Sequence, residues 1–281
     1  MASTRSIKRR IRSIGSTQQI TRAMNLVAAS KLQRAKAKLE SVRPYFEETQ
    51  RLVFEIASNI DAPNLFFTPR QVKHTGYIII TGDRGLCGGY NVNVSKLGYE
   101  LIHEREKHSE RIIAVGVKSR DYFRRRRKQI IRTYQGISEI PFYEDAAEIG
   151  EIAVDLFDSG EVDEVYLIYT QFISTLAHTP TAIKLLPLVA EKGRQNRVID
   201  YEPDEEGFLS YLVPKYLSAV IFGALAESAA CEQGARMASM DAATKNSSEL
   251  IDKLTLRYNR VRQDAITQEL TEIVSGADAL T

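Results

Sequence analysis

The sequence predicts an α/β chain in which long N- and C-terminal helices pair as an antiparallel coiled coil and carry an inserted domain with a mainly parallel sheet. Apolar residues in 4-3 spacing run through each end of the chain, and between them short β-branched runs alternate with helical stretches. Antiparallel pairing follows because both helices leave the same inserted domain. Of the 281 residues, 43% are hydrophobic, which is enough apolar surface for a real core.

The first helix is expected over residues 1–60. Its seam runs Ile7, Ile11, Ile14, Gln18, Thr21, Asn25, Ala28, Leu32, Ala35, Leu39, Val42, Phe46, Thr49, Val53, Ile56 and Ile60. Where the seam turns polar, from Gln18 to Asn25, a neighbouring stripe of Ile20, Met24 and Val27 offers apolar surface on a second side and implies a second partner. Pro44 removes one backbone hydrogen bond and is expected to kink the helix near Glu40.

The inserted domain is expected over residues 74–195, with strands at 77–81, 112–115, 130–134, 165–172 and 182–188 and helices near 92–107, 118–127 and 144–158. Strand and helix in alternation indicate a Rossmann-like sheet covered by helices. The second long helix is expected over residues 207–281, its start marked by Pro203, Gly207 and Pro214. Its seam runs from Leu212 through Tyr216, Ala219, Gly223, Ala226, Ala230, Gln233, Met237, Met240, Thr244, Ser247, Ile251, Leu254, Tyr258, Val261 and Ala265 to Gln268. The small residues at Ala219, Gly223, Ala226 and Ala230 are expected to admit a partner backbone closely, and Gly276 reads as a C-cap.

Charge is close to balanced, at Lys+Arg 38 against Asp+Glu 36, so the whole chain gives no reason to expect nucleic acid. The distribution is uneven. Between Met1 and Arg43 stand eleven basic residues and one acid, Glu40. Such an arm suits a mitochondrial transit peptide or a structural helix, and the unbroken apolar pattern favours the helix. It also motivates one rival reading, a coiled-coil protein that binds nucleic acid and releases it with salt. The two cysteines, Cys87 and Cys231, lie far apart in sequence and fit a reducing compartment. No signal-peptide h-region is evident, and no apolar run is expected to approach the roughly 18 residues that span a bilayer.

The loop from Gly82 through Asp83, Arg84, Gly85, Leu86, Cys87 and Gly88 to Gly89 follows a strand and precedes a helix, where nucleotide loops sit. Its spacing matches neither a G-x-G-x-x-G series nor a Gly-Lys-Ser/Thr ending, so a nucleotide-binding enzyme is the weaker rival. Glycines explain a tight turn but leave the Asp83 and Arg84 pair and the Cys87 thiol, expected to be exposed, without a purpose. The histidines at 74, 103, 108 and 178 lack metal spacing, and no nucleophile elbow appears, so no cofactor or metal is expected. The run Arg124 to Lys128 ends a short helix and reads as a solvated face or an anionic partner surface. Near the C-terminus, Thr267, Glu269 and Glu272 stand among apolar residues where a plain coiled-coil end would have turned polar.

Three blocks make the chain resemble the bacterial-type γ subunit of the F-type ATP synthase along essentially its whole length. They are Thr17 to Met24 with Val27 to Lys31, the loop from Asp83 to Asn91, and Ile266 to Glu269 followed by Glu272 and Gly276-Ala277. The resemblance implies a central rotor stalk, not catalytic itself, that couples ion-driven rotation of a c-ring to ATP synthesis or hydrolysis at β subunits. It implies partners in the α and β subunits of the surrounding ring, in ε and in the c-ring, with no nucleic acid, no membrane span and no cofactor. It places the chain peripherally on the cytoplasmic side of a bacterial plasma membrane. By the same resemblance, Met24, Arg236, Arg262, Gln263, Thr267 and Glu269 meet the β subunit or stator, and Asp83, Arg84, Tyr201 and Glu202 face the c-ring and ε. The redox-controlled plant branch carries an inserted dithiol that this chain lacks.

Overall fold

The computed structural model describes residues 4–59, 65–105, 108–174, 177–188 and 205–278. They form α1 (Thr4–Asn59), β1 (His74–Ile80), α2 (Tyr90–Glu104), β2 (Ser109–Val115), α3 (Val117–Arg125), β3 (Ile130–Tyr134), α4 (Tyr143–Asp158), β4 (Glu164–Phe172), β5 (His178–Leu186) and α5 (Glu205–Asp278). The chain divides into two units, one built from Met1–Val27 with Met237–Thr281 and the other from Ala28–Arg236.

In the larger unit the strands lie in the order β3-β2-β1-β4-β5. β1 pairs in parallel with β2 and β4, β2 with β3, and β5 runs antiparallel to β4. Period-two alternation sorts the side chains between two cores. Tyr77, Ile79, Ile112 and Ala114 pack with Val94 and Ile102 of α2 and Phe123 of α3. Ile78, Ile80, Ile113 and Val115 pack on the other face with Ala146, Ile149, Ala153 and Phe157 of α4 and with Leu217, Ile221 and Leu225 of α5. β1, β2 and β4 are therefore apolar on both faces, which is why these segments read as continuous apolar runs.

The same face also holds part of α1. Val42 and Val53 join this core with Leu209 and Val213 of α5, the Lys38 ammonium lies 5.3 Å over the Phe222 ring, and Gln50 hydrogen-bonds Tyr216. Rising numbers on α1 thus meet falling numbers on α5, and the helices are antiparallel here. In the smaller unit the direction is the same: Thr21 Oγ1 and Thr244 Oγ1 are 2.8 Å apart, and Asn25 Nδ2 donates to the Met237 carbonyl at 2.9 Å. The polar stretch of the seam is where side chains hydrogen-bond across it. None of the α1 seam positions from Ile7 to Val53 is exposed.

Several local expectations change. Pro44 does not interrupt α1; it sits on the exposed face, where the carbonyl it leaves unbonded can be hydrated. Pro214 lies well inside α5, and α5 runs past Gly276 to Asp278, so neither residue marks an end. Nothing comes within 4 Å of a Cβ placed on Gly223, so no backbone presses there; the glycine instead opens onto a cleft of about 340 Å³ bounded by Arg43, Phe46, Tyr169 and Glu227. The α5 seam loses its partner after Val261, and residues 262–275 are all exposed. The helix does contain an 18-residue window of mean hydropathy 1.5, apolar enough for a membrane span, against expectation; 61% of that window is buried inside the protein. Its apolarity serves the core of the larger unit.

Candidate functional site

In the larger unit the loop after β1 lies where the strand order reverses, between β1 and β4, the usual place for a ligand in an open α/β sheet. Here a helix of the same chain fills that place. Glu232 of α5 is only 3% exposed, and its carboxylate presses on Gly82 so closely that a Cβ there would lie 2.5 Å from Oε2. A carboxylate at this position disfavours a phosphate against Gly82.

Asp83 joins three segments. Its Oδ1 accepts from the Val117 N–H at 2.9 Å, and its Oδ2 accepts from the Gly136 N–H at 2.9 Å and the Ser138 hydroxyl at 3.0 Å. Val117 opens α3, so Asp83 caps that helix from a distant loop with a favourable charge. Glycine is required just before it: Gly116 has φ 89°, and a Cβ would sit 2.2 Å from the Thr81 carbonyl oxygen. Arg84 and Leu86 point to solvent, and Leu86 takes φ 63° as the chain doubles back. Asn91 secures the turn, accepting from the Gly82 N–H at 2.8 Å and donating to the Arg84 carbonyl at 3.1 Å and to the Cys87 sulfur at 3.0 Å.

Cys87 is 1% exposed, which corrects the expected exposed thiol: Leu86 takes the outward position at the turn. Cys87 packs with Tyr90, Cys231 and Ala235, and burial followed by the charge of Glu232 pushes its thiol pKa up. Burial likewise raises the Glu232 carboxyl, with Arg236 opposing and Glu139 and Asp83 adding. Arg236 bonds Glu232 Oε1 at 2.5 Å, Gln233 Oε1 at 3.0 Å and the Gly85 carbonyl at 3.4 Å. A neighbouring carboxyl, Glu227, is raised by burial and accepts the Phe172 N–H at 2.9 Å. Among the described residues no group of three or more His, Cys, Asp or Glu could hold a metal.

The smaller unit presents a different surface. Ile20, Leu26 and Val27 are 60%, 67% and 55% exposed, and Met24 is half-buried beside them. Arg262, Gln263, Thr267 and Glu269 are all exposed on the unpartnered end of α5, interspersed with exposed Ile266, Leu270, Ile273 and Val274. Tyr201 and Glu202 lie outside the described residues. The structure therefore brings Asp83, Arg84 and Arg236 into one unit, and Met24 and the four C-terminal residues into the other. Sequence reasoning missed Glu232, Gln233 and Asn91. The i,i+4 spacing of Glu232 and Arg236 was the available signal, but only the fold sets that pair against Gly82.

A family model described as ATP synthase matches residues 3–280. A chain from Alkaliphilus metalliredigens named ATP synthase gamma chain is 46% identical, with 98% of this chain and 97% of that one covered. One from Acetobacterium woodii, named as the sodium-ion-specific ATP synthase gamma chain, is also 46% identical over 98% of this chain and 97% of its own length. Among solved structures, the central stalk and c-ring assembly of the Tetrahymena thermophila mitochondrial ATP synthase contains a chain at 25% identity and TM-score 0.63, covering 80% of this chain and 99% of that one. A chain of the Euglena gracilis mitochondrial ATP synthase shares the fold at TM-score 0.73 and 17% identity, over 99% of this chain and 94% of its own.

Proposed function

We propose a mechanical role for this chain, which belongs to the ATP synthase gamma-chain family: it is the central stalk that couples ion-driven rotation to ATP synthesis or hydrolysis in other subunits. The observation that carries the reading is the uncovered end of α5, where residues 262–275 stay exposed although Ile266, Leu270, Ile273 and Val274 are apolar. Apolar surface of this extent on a helix calls for a partner. The apolar positions Ile20, Leu26 and Val27 add a second uncovered face on α1.

The partners are the α and β subunits of a surrounding ring, with ε and the c-ring at the other end. Met24, Arg236, Arg262, Gln263, Thr267 and Glu269 supply the contacts with β. Asp83 and Arg84, with Tyr201 and Glu202, belong to the side facing the c-ring and ε. The basic arm of α1 meets acidic stator surface through exposed charges, which are individually weak and so can break and reform as the shaft turns. The chain works by biasing conformational equilibria in its partners, whose sites hold the nucleotide. It sits peripherally on the cytoplasmic face of a bacterial plasma membrane.

The test is reconstitution. The purified chain mixed with α and β subunits of a close relative is expected to give a single complex with ATPase activity on size exclusion. Retention on DNA in place of assembly, lost with added salt, would return the chain to the nucleic-acid class.

A further inference from the structure

Glu232 and Arg236 form a pair whose surroundings demand more than packing. Both side chains are buried, at 3% and 9% exposure, and Glu232 Oε1 meets Arg236 Nη2 at 2.5 Å. Glu232 Oε2 and Gln233 Nε2 have no hydrogen-bond partner, so two buried polar atoms are left unsatisfied around this one ion pair. Arg236 continues to the Gly85 carbonyl, while the Glu232 carboxylate backs directly onto Gly82. The pair thus grips both ends of the segment that contains Asp83 and Arg84.

We propose that Glu232 is a positioning residue: its carboxylate fixes the Arg236 guanidinium, and together they latch the loop of residues 82–89 onto α5. This rests on the rotor reading, because it makes the setting of Arg236, a residue assigned there to the contact with β, depend on a buried neighbour. A hydrophobic pair of the same volume would pack with less desolvation cost, so the pair contributes the geometry it imposes on Gly82 and Gly85 rather than net stability. The charged and titratable groups facing Glu232 are Asp83 and Glu139 from the loops, Cys87 and Tyr90 from the turn into α2, and Arg236 on α5 itself.

Cys87 reports the latch, since its thiol is buried only while the loop is closed. Maleimide labelling of Cys87 in the full chain, read by peptide mass at fixed pH against a model thiol, measures the open fraction. Arg236→Gln strands the buried carboxylate and is expected to raise Cys87 labelling at least about tenfold. In a Glu232→Gln background the same replacement is expected to change labelling by less than about twofold. Equal effects in the two backgrounds overturn the proposal. Should Arg236→Gln fail to fold, the double variant is expected to fold, and failure of both overturns the proposal too.

A pH series adds a readout that packing does not move. Opening returns Glu232 to water, so native labelling relative to the model thiol should rise as pH climbs through its raised pKa, but less than in Arg236→Gln, because the guanidinium offsets part of the burial that opposes the carboxylate; Glu232→Gln should flatten the rise, and an equal rise in the native chain and Arg236→Gln counts against the latch. In the assembled complex, Glu232→Gln and Arg236→Gln are both expected to lower ion pumping per ATP hydrolysed. A confirmed latch with an unchanged pumping ratio removes the coupling role from Arg236 and leaves the positioning intact.

Discussion

Gly82 shows how one missing side chain sets a site. Any Cβ there would lie 2.5 Å from Glu232 Oε2, so Gly82→Ala must displace a buried, ion-paired carboxylate. We expect a loss of about 1–3 kcal/mol in urea denaturation of the isolated chain. Asp163 gives a pH prediction with a definite sign. Burial alone would raise its pKa, but the backbone N–H groups of Lys73 and His74 donate to its carboxylate at 2.7 and 2.9 Å and hold it below the ordinary aspartate value of 3.8. The stability it contributes is therefore present above the unfolded pKa and is lost as pH falls through the folded one. Melting temperatures measured on acidification should drop less steeply in Asp163→Asn than in the native chain, from a lower starting value. Glu232 runs oppositely: its carboxyl is raised, so its contribution is present in acid and fades as pH rises through its folded pKa.

At the scale of the helix, burial separates fold from contact on a single element. Leu32 on the α1 seam is 3% exposed, while Leu26, less than two turns away, is 67% exposed. Leu32→Ala should cost about 2–5 kcal/mol of stability, because it leaves a cavity in a packed interior. Leu26→Ala should change stability by no more than about 0.5 kcal/mol. If Leu26 lies under a partner, that variant should instead weaken co-assembly with α and β, read as a shift in the concentration needed for complex formation. The cation run at the end of α3 resolves in a similar way. Arg126 stacks 3.6 Å over Tyr122, Lys128 pairs with Glu110 at 3.6 Å, and Arg124, Arg125 and Arg127 remain exposed.

The whole molecule carries one further expectation. Because residues 262–275 make no seam, truncation after Gln263 should leave the melting of the sheet unit unchanged by circular dichroism. The same truncation should lower the ATPase activity of a reconstituted complex. A lowered melting temperature of the sheet unit would mean that the end of α5 stabilises the fold rather than serving a partner. The helices and strands were legible because each declares a period: 4-3 spacing gave the α1 seam from Ile7 to Val53, and β-branched runs gave all five strands, with β1, β2, β4 and β5 beginning one to four residues earlier than expected. Pairing direction was legible too, since two helices leaving one domain have a single short way to meet. Pro214 and the Cys87 thiol were misread because local propensity is overruled where neighbours pack against the chain, and no neighbour is visible in a linear pattern. The sequence by itself therefore determined the elements, their faces and the family. Only the tertiary structure decided that Glu232 and Arg236 close the loop at the end of β1 and that Asp83 caps α3, because such contacts join residues 34 to 151 positions apart, whose meeting depends on packing and not on any period along the chain.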